Sequence, residues 1–399
     1  MYGQETFNTN SAVIKVMGIG GGGCNAVNSM IDSNVKSAEF IAVNTDNQAL
    51  LLSKAEKTIQ IGALLTKGLG AGSNPSVGEA AAEESKEQIA EALQGTDLLF
   101  IAAGMGGGTG TGAASVVARI ARELGILTVA VVTKPFAFEG RVRNENANKG
   151  IANLKKYVDT LVIIPNDKLS QFLPPNTGVL DAFKVADDML KQGIVGIVDL
   201  IATPSLINLD FADVNTVMRN QGLAHMGIGR AKGENRVIES VRQAVSSPLL
   251  ETTIEGAKSV ILNVSGGRDI TLSEITEAAQ LVQGIIDINA NIIFGQTIDE
   301  SLNEEIKITI IATGFSPKAV EVEEESVTVK PAIAINSVEE SSNSLLIKSM
   351  EKLEEIKPEP VKEEIKPEII PEEPQIADEP AKEKGKELPL FMRKLFGKK

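Results

Sequence analysis

At 399 residues the chain is long enough for two domains and an additional segment, and its 43% hydrophobic content is typical of globular proteins. The 53 acidic residues against 39 Lys and Arg give a formal net charge of -14, which argues against a nucleic-acid binder because such a protein needs a basic face. One Cys and one His exclude an intrachain disulfide and a zinc site of the usual Cys/His kind. The segment Met1–Ser11 is polar and no run of about 18 apolar residues occurs, which predicts neither a signal peptide nor a transmembrane segment and favours a cytoplasmic location.

The first half of the chain alternates predicted strands and helices. The predicted strands are Val13–Met17, Glu39–Asn44, Asp97–Ala103, Ile126–Thr133 and Thr160–Pro165, and the predicted helices are Asn25–Asp32, Glu79–Leu93 and Ala113–Leu124. Strands that alternate with helices indicate an α/β protein with a Rossmann-like parallel sheet covered on both faces. In such sheets, ligands bind at the carboxyl ends of the strands.

The apolar pattern from Val179 to about Ala202 predicts a long central helix that joins two domains, and Pro204 ends it. The segments that follow it are helices at Asp210–Gln221, Glu234–Ser246 and Leu272–Ile285, and strands at Ser259–Ser265 and Lys307–Thr313. These elements predict a second, smaller α/β domain.

The composition changes after Ser316. Nine of the 16 prolines lie beyond it, and the sequence EEIKPE occurs twice, at Glu354 and at Glu363. Such a segment cannot bury enough apolar surface to offset its ordering entropy, so Pro317–Lys386 is predicted to be a disordered, acidic linker. In Glu387–Lys399, apolar side chains fall on one helical face beside basic ones, which favours a partner-binding peptide over a frayed tail.

Two glycine-rich segments each follow a predicted strand and precede a predicted helix. The first, Gly18–Gly23, fits G-x-G-x-x-G; with Asp46 near the end of the second strand, it also suits an NAD-dependent enzyme, which is the main alternative. The second, Gly104–Gly112, has no use in a dehydrogenase, and it lacks the lysine of a P-loop. Glycines let backbone N–H groups approach phosphate closely, and the helix near Ala113 adds its N-terminal dipole.

The second segment contains GGGTGTG at Gly106–Gly112, which is the signature of the tubulin and FtsZ superfamily. The segment Asn208–Val214, NLDFADV, resembles the synergy loop of that superfamily. The similarity is to the FtsZ family of bacterial cell-division proteins; it covers about residues 12–316, and the acidic linker and terminal peptide resemble the usual tail of that family. The resemblance implies a flexible N-terminus (1–11), a GTP-binding domain (12–178), a central helix (179–203), a C-terminal GTPase-activating domain (204–316), a linker (317–386) and a partner-binding peptide (387–399).

The resemblance also implies the residues that bind GTP or GDP. They are Gly21, Gly22, Gly23, Cys24 and Asn25 in the first loop, Ala71 and Gly72 near the γ-phosphate, Gly108, Thr109 and Gly110 in the second loop, Glu139 and Arg143 on the ribose side, Asn166, Phe183 and Asp187 around guanine, and Thr133. Guanine presents two neighbouring N–H donors that a carboxylate at Asp187 can accept together, whereas adenine would leave it unpaired. Phe183 and Asp187 are four residues apart and share a helical face. Core packing of Phe183 and solvation of Asp187 are the alternative explanations.

For hydrolysis, the family resemblance points to Asn208, Asp210 and Asp213, which would complete the site of the next subunit. Two carboxylates can orient a water molecule beside the γ-phosphate while Mg²⁺ neutralises the phosphates, and no protein metal ligand is assigned. The alternative is helix capping, with Asn208 or Asp210 as N-cap and Asp213 in the first turn.

The resemblance therefore implies a GTPase that polymerises head to tail into the filaments of the cell-division (Z) ring. It implies a location in the cytoplasm, at mid-cell near the inner face of the membrane, and membrane-associated division adaptors that bind Glu387–Lys399. A filament protein that binds nucleotide without hydrolysing it is a further alternative.

The single Cys and the single His receive no catalytic role. Cys24 lies near a helix N-terminus that could lower its thiol pKa. The simpler interpretation is that Cys24 is a small residue that only fills space. His225 is predicted to be structural or interfacial.

Overall fold

Ten strands and twelve α-helices are present in the part of the chain that the computed structural model describes, which is residues 12–35, 37–170, 173–174, 176–202, 210–247, 254, 256–300 and 302–315. The strands are β1 (Ile14–Ile19), β2 (Glu39–Asn44), β3 (Lys57–Gln60), β4 (Leu98–Gly104), β5 (Leu127–Lys134), β6 (Thr160–Pro165), β7 (Gly222–Lys232), β8 (Ser259–Gly266), β9 (Asn291–Ile298) and β10 (Glu305–Thr313). The helices are α1 (Gly20–Asp32), α2 (Asn47–Leu51), α3 (Ala63–Thr66), α4 (Pro75–Glu84), α5 (Lys86–Leu93), α6 (Thr109–Glu123), α7 (Arg141–Leu154), α8 (Asn166–Ser170), α9 (Val179–Ala202), α10 (Phe211–Met218), α11 (Arg236–Val245) and α12 (Leu272–Gln283).

All ten strands belong to one sheet, in the order β3-β2-β1-β4-β5-β6-β7-β10-β8-β9. The seven strands from β3 to β7 run parallel to their neighbours. Strand β10 lies antiparallel between β7 and β8, and β9 is parallel to β8. The predicted α/β fold with a parallel sheet is therefore confirmed, and antiparallel pairing is confined to the partners of β10.

The parallel strands are apolar because helices cover both of their faces. Every residue of β1 and of β6 is buried, as expected for strands that cannot alternate between core and solvent. One apolar core lies between the sheet and helices α1, α9 and α10, and a second lies between the opposite face and α4 to α7. A third packs α11 and α12 against β8 and β10.

Close contact between α4 and α6 fixes the position of the second glycine loop. A Cβ atom at Gly112 would lie 2.0 Å from the carbonyl oxygen of Pro75, and one at Gly78 would lie 2.3 Å from that of Gly108. Only glycine permits this approach, because real Cβ atoms do not come so near to backbone oxygen. The glycines of α6 therefore serve helix packing as well as the loop.

Several predicted elements match the structure closely, and others do not. The bounds of β2, β6 and α9 are as predicted. The first two predicted helices after the glycine loops start too late, because α1 begins at Gly20 and α6 at Thr109, inside the glycine-rich segments. The predicted helix Glu79–Leu93 is two helices that meet at Ser85, and the first of them begins at Pro75.

Strands β3, β7 and β9 and helix α7 were not predicted. Strand β7 contains glycines at alternate positions, and their absence of side chains allows α11 to pack closely: a Cβ at Gly229 would lie 1.8 Å from the carbonyl oxygen of Ser240. Helix α7 is mostly polar and buries only four residues, so its apolar periodicity is weak. Among the described helices, none combines the length and apolar character that a membrane crossing requires.

Candidate nucleotide-binding site

A cavity of about 410 Å³ opens where β1, β4, β5 and β6 end at their carboxyl ends. This is the edge at which a parallel α/β sheet binds its ligands. Its lining residues are Gly21, Gly22, Asn25, Ser73, Gly104, Met105, Gly107, Gly108, Thr109, Gly110, Thr133, Pro135, Glu139, Arg143, Asn166, Phe183, Ala186 and Asp187. The two glycine-rich segments, far apart in sequence, thus meet in one cavity.

The first glycine segment forms the beginning of α1. Gly20 is the first helical residue and has φ +72°, a conformation that favours glycine. A Cβ atom there would lie 2.7 Å from the backbone nitrogen of Gly110, so the two loops are in direct contact. No side chain caps α1, and Gly21 has no heavy atom within 4 Å of an added Cβ. The helix therefore presents uncapped N–H groups to an open part of the cavity.

The second glycine segment forms the beginning of α6. Gly108 is the N-cap, and it too provides no side-chain hydrogen bond. Thr111 accepts a hydrogen bond from the Gly106 N–H at 2.8 Å, which closes the loop, and the hydroxyl of Thr109 bonds that of Thr45 at 2.7 Å. Two uncapped helix N-termini that line one cavity form a strong binding site for phosphate, since each adds donors and a positive dipole end.

Glu139, Arg143 and the ring of Phe183 form another side of the cavity, and the rings of Phe136 and Phe138 pack against Phe183 from outside the lining. The Glu139 carboxylate accepts hydrogen bonds from the Phe136 N–H at 2.9 Å and pairs with Arg143 at 3.0 Å. The ring centroid of Phe136 lies 5.3 Å from those of Phe138 and Phe183, which is the distance of stacked or edge-to-face contacts. Phe183 remains partly exposed on the cavity side, so a planar ring can stack on it.

Two polar groups in this cavity, the Asn166 Oδ1 atom and the Asp187 carboxyl, have no partner among the described residues. The Oδ1 atom of Asn166 is buried without a hydrogen bond. The carboxyl of Asp187 forms no hydrogen bond or ion pair among the described residues, and burial, reinforced by the neighbouring charge of Asp188, raises its pKa to about 7. Asp188 is instead paired with Lys191 and accepts from Gln192. A bound ligand with adjacent N–H donors would satisfy Asp187 and favour its ionised form.

Twelve of the predicted nucleotide-binding residues line this cavity, and four do not. The twelve are Gly21, Gly22, Asn25, Gly108, Thr109, Gly110, Thr133, Glu139, Arg143, Asn166, Phe183 and Asp187. Gly23 packs against β4, where its Cβ would lie 2.2 Å from the carbonyl oxygen of Ala102. Ala71 is buried with its methyl group near Gly108, and Gly72 has φ +56° beside the cavity-lining Ser73.

Cys24 also lies outside the cavity lining. Its Sγ is buried near the carbonyl oxygens of Gly18 at 3.6 Å and Val43 at 3.7 Å. Burial raises the pKa of this thiol to about 11, so the idea that the helix N-terminus lowers it is wrong. Cys24 fills space behind the loop.

Sequence reasoning missed six lining residues. Gly104 and Gly107 lie within the predicted second loop, and Pro135 directly follows β5, so their positions carried a usable signal. Ser73 is adjacent to the predicted Ala71 and Gly72. Met105 lies in the same predicted loop, whereas Ala186 has no distinguishing sequence feature, because an ordinary apolar residue of a helix becomes a site residue only through the fold.

The predicted catalytic carboxylates lie apart from this lining. Asp210 is the N-cap of α10 and accepts a hydrogen bond from the Asp213 N–H at 2.8 Å, which confirms the capping interpretation for Asp210. Both side chains are exposed, and neither lines the cavity. Asn208 and the predicted linker and terminal peptide lie outside the described residues. His225 is buried with its ring 4.6 Å from that of Phe315, which agrees with a structural role.

The fold and this cavity define a nucleotide-binding α/β protein whose phosphate site consists of two glycine-rich helix N-termini. Residues 13–174 match the family model of the GTPase domain of the Tubulin/FtsZ family, and residues 222–316 match that of the C-terminal domain of the FtsZ family.

Among solved structures, the chain is similar to FtsZ from M. jannaschii. An empty FtsZ dimer is 48% identical over 77% of this chain and 89% of that chain, with a TM-score of 0.74. A point mutant of the same FtsZ is 48% identical over 76% of this chain and 92% of that chain, also with a TM-score of 0.74. CetZ2 from Haloferax volcanii, described as a GTPgS-bound protofilament, is 20% identical over 76% of this chain and 94% of that chain, with a TM-score of 0.66, and this likeness concerns the fold alone.

The chain belongs to the FtsZ family of the tubulin/FtsZ GTPases. It is a GTPase, and GTP and GDP are its nucleotides. The alternative of an NAD-dependent enzyme is thereby wrong.

Proposed function

We propose that this GTPase assembles head to tail into filaments and that Asp210 and Asp213 of one subunit complete the nucleotide site of the next. One observation carries the proposal: among the described lining residues, no carboxylate remains to orient water. The acids there are Glu139, which is paired with Arg143, and Asp187, which is unpaired but is proposed to bind guanine. Water-orienting carboxylates must then come from outside the subunit.

Asp210 and Asp213 are suited to that role. They are neighbouring, exposed acids at the start of α10, and the hydrogen bond between Asp210 and the Asp213 N–H fixes the turn that carries them. Because both side chains are exposed, a neighbouring molecule can reach them. The capping role and the catalytic role are compatible, because capping by Asp210 occupies one of its oxygens.

A contact between one subunit's nucleotide cavity and another subunit's α10 is heterologous, since different surfaces meet. Such contacts do not close and therefore generate filaments. The dimer of M. jannaschii FtsZ and the protofilament of CetZ2 are relatives described in assembled form.

The nucleotide is proposed to bind with its phosphates on Gly21, Gly22, Gly108, Thr109 and Gly110. The other residues proposed for the site are Gly23, Cys24, Asn25, Ala71, Gly72 and Thr133 around the phosphates, Glu139 and Arg143 at the ribose, and Asn166, Phe183 and Asp187 at guanine. Gly23, Cys24 and Ala71 are buried and shape the loops from behind the cavity wall, whereas Gly72 is exposed beside the cavity-lining Ser73.

Mg²⁺ is proposed to accompany the nucleotide and to neutralise its phosphates. Within the described ranges, no three His, Cys, Asp or Glu residues cluster as a metal site. The oxygen atoms of Asn25 and Thr109 line the cavity and are of the type that Mg²⁺ accepts, while phosphate and water supply most of its ligands.

In the cell, the filaments are proposed to form the division (Z) ring in the cytoplasm, at mid-cell near the inner face of the membrane. Membrane-associated division adaptors are proposed to bind Glu387–Lys399 at the end of the 317–386 linker. Because a filament displays many such peptides, weak individual binding becomes strong through avidity. Removal of Glu387–Lys399 should abolish adaptor recruitment while GTP turnover in solution stays unchanged.

The first test measures GTP turnover per subunit against protein concentration, together with light scattering. Both signals should disappear below a common threshold concentration, because isolated subunits lack the water-orienting carboxylates. Turnover per subunit that does not depend on concentration would contradict the proposal.

The second test titrates Asp213→Asn into a fixed amount of wild-type protein. The variant should bind GTP normally, co-assemble, and lower the turnover of wild-type subunits whose cavities face it. Asp32→Asn, at an exposed acid that pairs with Lys54, is the matched control and should leave turnover unchanged. If wild-type subunits hydrolyse GTP at full rate inside mixed filaments, the carboxylate acts within its own subunit.

A further inference from the structure

A second cavity, of about 430 Å³, lies along the part of α9 that follows the residues lining the nucleotide cavity. Its lining comes from the segment after α1, from the second half of α9, and from β7 and β10. The charged groups in the lining are Lys191, Asp199, Arg230 and Lys307. In a chain with a formal net charge of -14, a lining with three cations and one acid is unusual.

Lys191 is already satisfied, because it pairs with Asp188 and donates a hydrogen bond to the Ser33 hydroxyl at 3.2 Å. The two other cations are not. The side chain of Arg230 forms no ion pair or hydrogen bond among the described residues, and its Nε is buried without any partner. Lys307 likewise has no ion pair in the described part of the chain, and burial together with the charge of Arg230 lowers its pKa.

Three acids, Asp199, Asp299 and Glu305, attract Lys307 electrostatically, but neither Lys307 nor Arg230 forms an ion pair among the described residues. Asp199 is close enough to influence Lys307 electrostatically but forms no ion pair with it, and burial raises the pKa of the Asp199 carboxyl. Glu305 is occupied by Lys232 at 3.8 Å. An unpaired guanidinium and an unpaired ammonium on adjacent strands therefore face one cavity, although burial of unpaired cations is costly to a fold.

We propose that this cavity binds a small oxyanion, a phosphate or carboxylate group of a metabolite, between Arg230 and Lys307. A planar guanidinium presents a fork of donors that matches either group, and the ammonium adds a second charge-assisted hydrogen bond. Asp199 accepts from a hydroxyl or amino substituent next to the oxyanion. The cavity is large enough for more than a bare ion.

Binding is tested on the full-length, GDP-saturated protein, so that the nucleotide cavity is occupied. Inorganic phosphate and malonate serve as probes in isothermal titration calorimetry. Arg230→Gln and Lys307→Gln should each lower the affinity for the tighter-binding probe by about tenfold or more, since each removes a charge-assisted hydrogen bond. Arg242→Gln removes an exposed cation outside the cavity and should leave binding unchanged.

Asp199→Asn should change the affinity for the probes in the opposite direction. It removes the one negative charge in the lining and should tighten binding of both bare probes. Because Arg230 and Lys307 have no partners to lose, their Gln variants should unfold at the wild-type temperature or above it, which separates loss of binding from loss of structure.

Preference for phosphate over malonate would indicate a phosphorylated ligand, and preference for malonate would indicate a carboxylic acid. No saturable binding of either probe, or equal weakening by Arg230→Gln and Arg242→Gln, would overturn the proposal.

Discussion

The acidic residues assigned to binding and to hydrolysis occupy opposite environments. Asp187, on α9, lines the nucleotide cavity without a partner among the described residues, and burial raises its pKa to about 7. Asp210 and Asp213, at the start of α10, are exposed, and they are already linked through the Asp213 N–H. Under the proposed assignments, buried Asp187 lowers stability until a ligand binds within its own subunit, whereas exposed Asp210 and Asp213 carry no such cost before another subunit binds.

This difference indicates how the two steps can be separated. A desolvated carboxylate gains most from a ligand that brings two donors, so it provides selectivity. An exposed carboxylate is inert until an interface excludes water around it. Binding and hydrolysis should therefore respond independently to substitution.

The largest expected effect concerns Asp187→Asn. Loss of a carboxylate that accepts two N–H groups should weaken GTP binding by about a hundredfold or more. The same variant should raise the melting temperature of the nucleotide-free protein, because a buried acid without a partner is removed. The control is Asp188→Asn: its acid is paired with Lys191, so GTP affinity should stay near wild type while the melting temperature falls. Wild-type GTP affinity in Asp187→Asn would remove Asp187 from the guanine site.

A pH titration also tests Asp187 as the acceptor for guanine. If Asp187 binds guanine as proposed, only its ionised form accepts both donors, so GTP affinity should fall as the pH drops through about 7, approaching about tenfold for each pH unit below it. The stability of the nucleotide-free protein should have the opposite pH dependence, falling as the pH rises. Because the folded-state pKa lies above the ordinary 3.8, the stabilising contribution of protonated Asp187 is present at low pH and is lost as the pH rises through about 7.

These two opposite trends are measured by nucleotide titration and by chemical denaturation across that pH range. Both should disappear in Asp187→Asn. A pH dependence that persists in the variant would belong to another group.

Two glycines of the same loop should separate nucleotide binding from folding. Gly23→Ala would place a methyl group 2.2 Å from the Ala102 carbonyl oxygen and should destabilise the protein by about 1–3 kcal/mol. Gly21→Ala meets nothing within 4 Å and should leave the unfolding midpoint unchanged while it lowers GTP affinity several-fold, because the methyl group enters the cavity. Equal stability losses in the two variants would contradict this assignment.

The smallest effect is expected from the cap of α10. Asp210→Ala removes the acceptor for the Asp213 N–H and should cost about 1 kcal/mol of stability, whereas Asp210→Asn keeps the cap and should cost almost nothing. Both variants should lose GTP turnover if Asp210 acts at the next subunit. Thermal unfolding and turnover, measured on the same preparations, distinguish the two roles. Normal turnover in Asp210→Asn would limit this residue to capping.

Much of the fold follows from local patterns in the sequence. Buried apolar runs identified the parallel strands β2 and β6, and the 3.6-residue period identified α9, because each pattern reflects which faces are covered. The two glycine motifs, each between a strand and a helix, placed the phosphate site at the carboxyl ends of the strands. The four-residue spacing of Phe183 and Asp187 placed both on one face of α9, and both line the cavity.

The remaining features depend on contacts between distant segments. Gly21 and Gly23 are two residues apart in one run of glycines, yet one faces the cavity and the other packs on β4. Burial by β2 and α1, rather than the helix dipole, determines the state of the Cys24 thiol. The second cavity unites Arg230 and Lys307 with Asp199 although no motif connects them. Local pattern determines which elements form, but desolvation and pairing of side chains are decided only when the fold brings their neighbours into place.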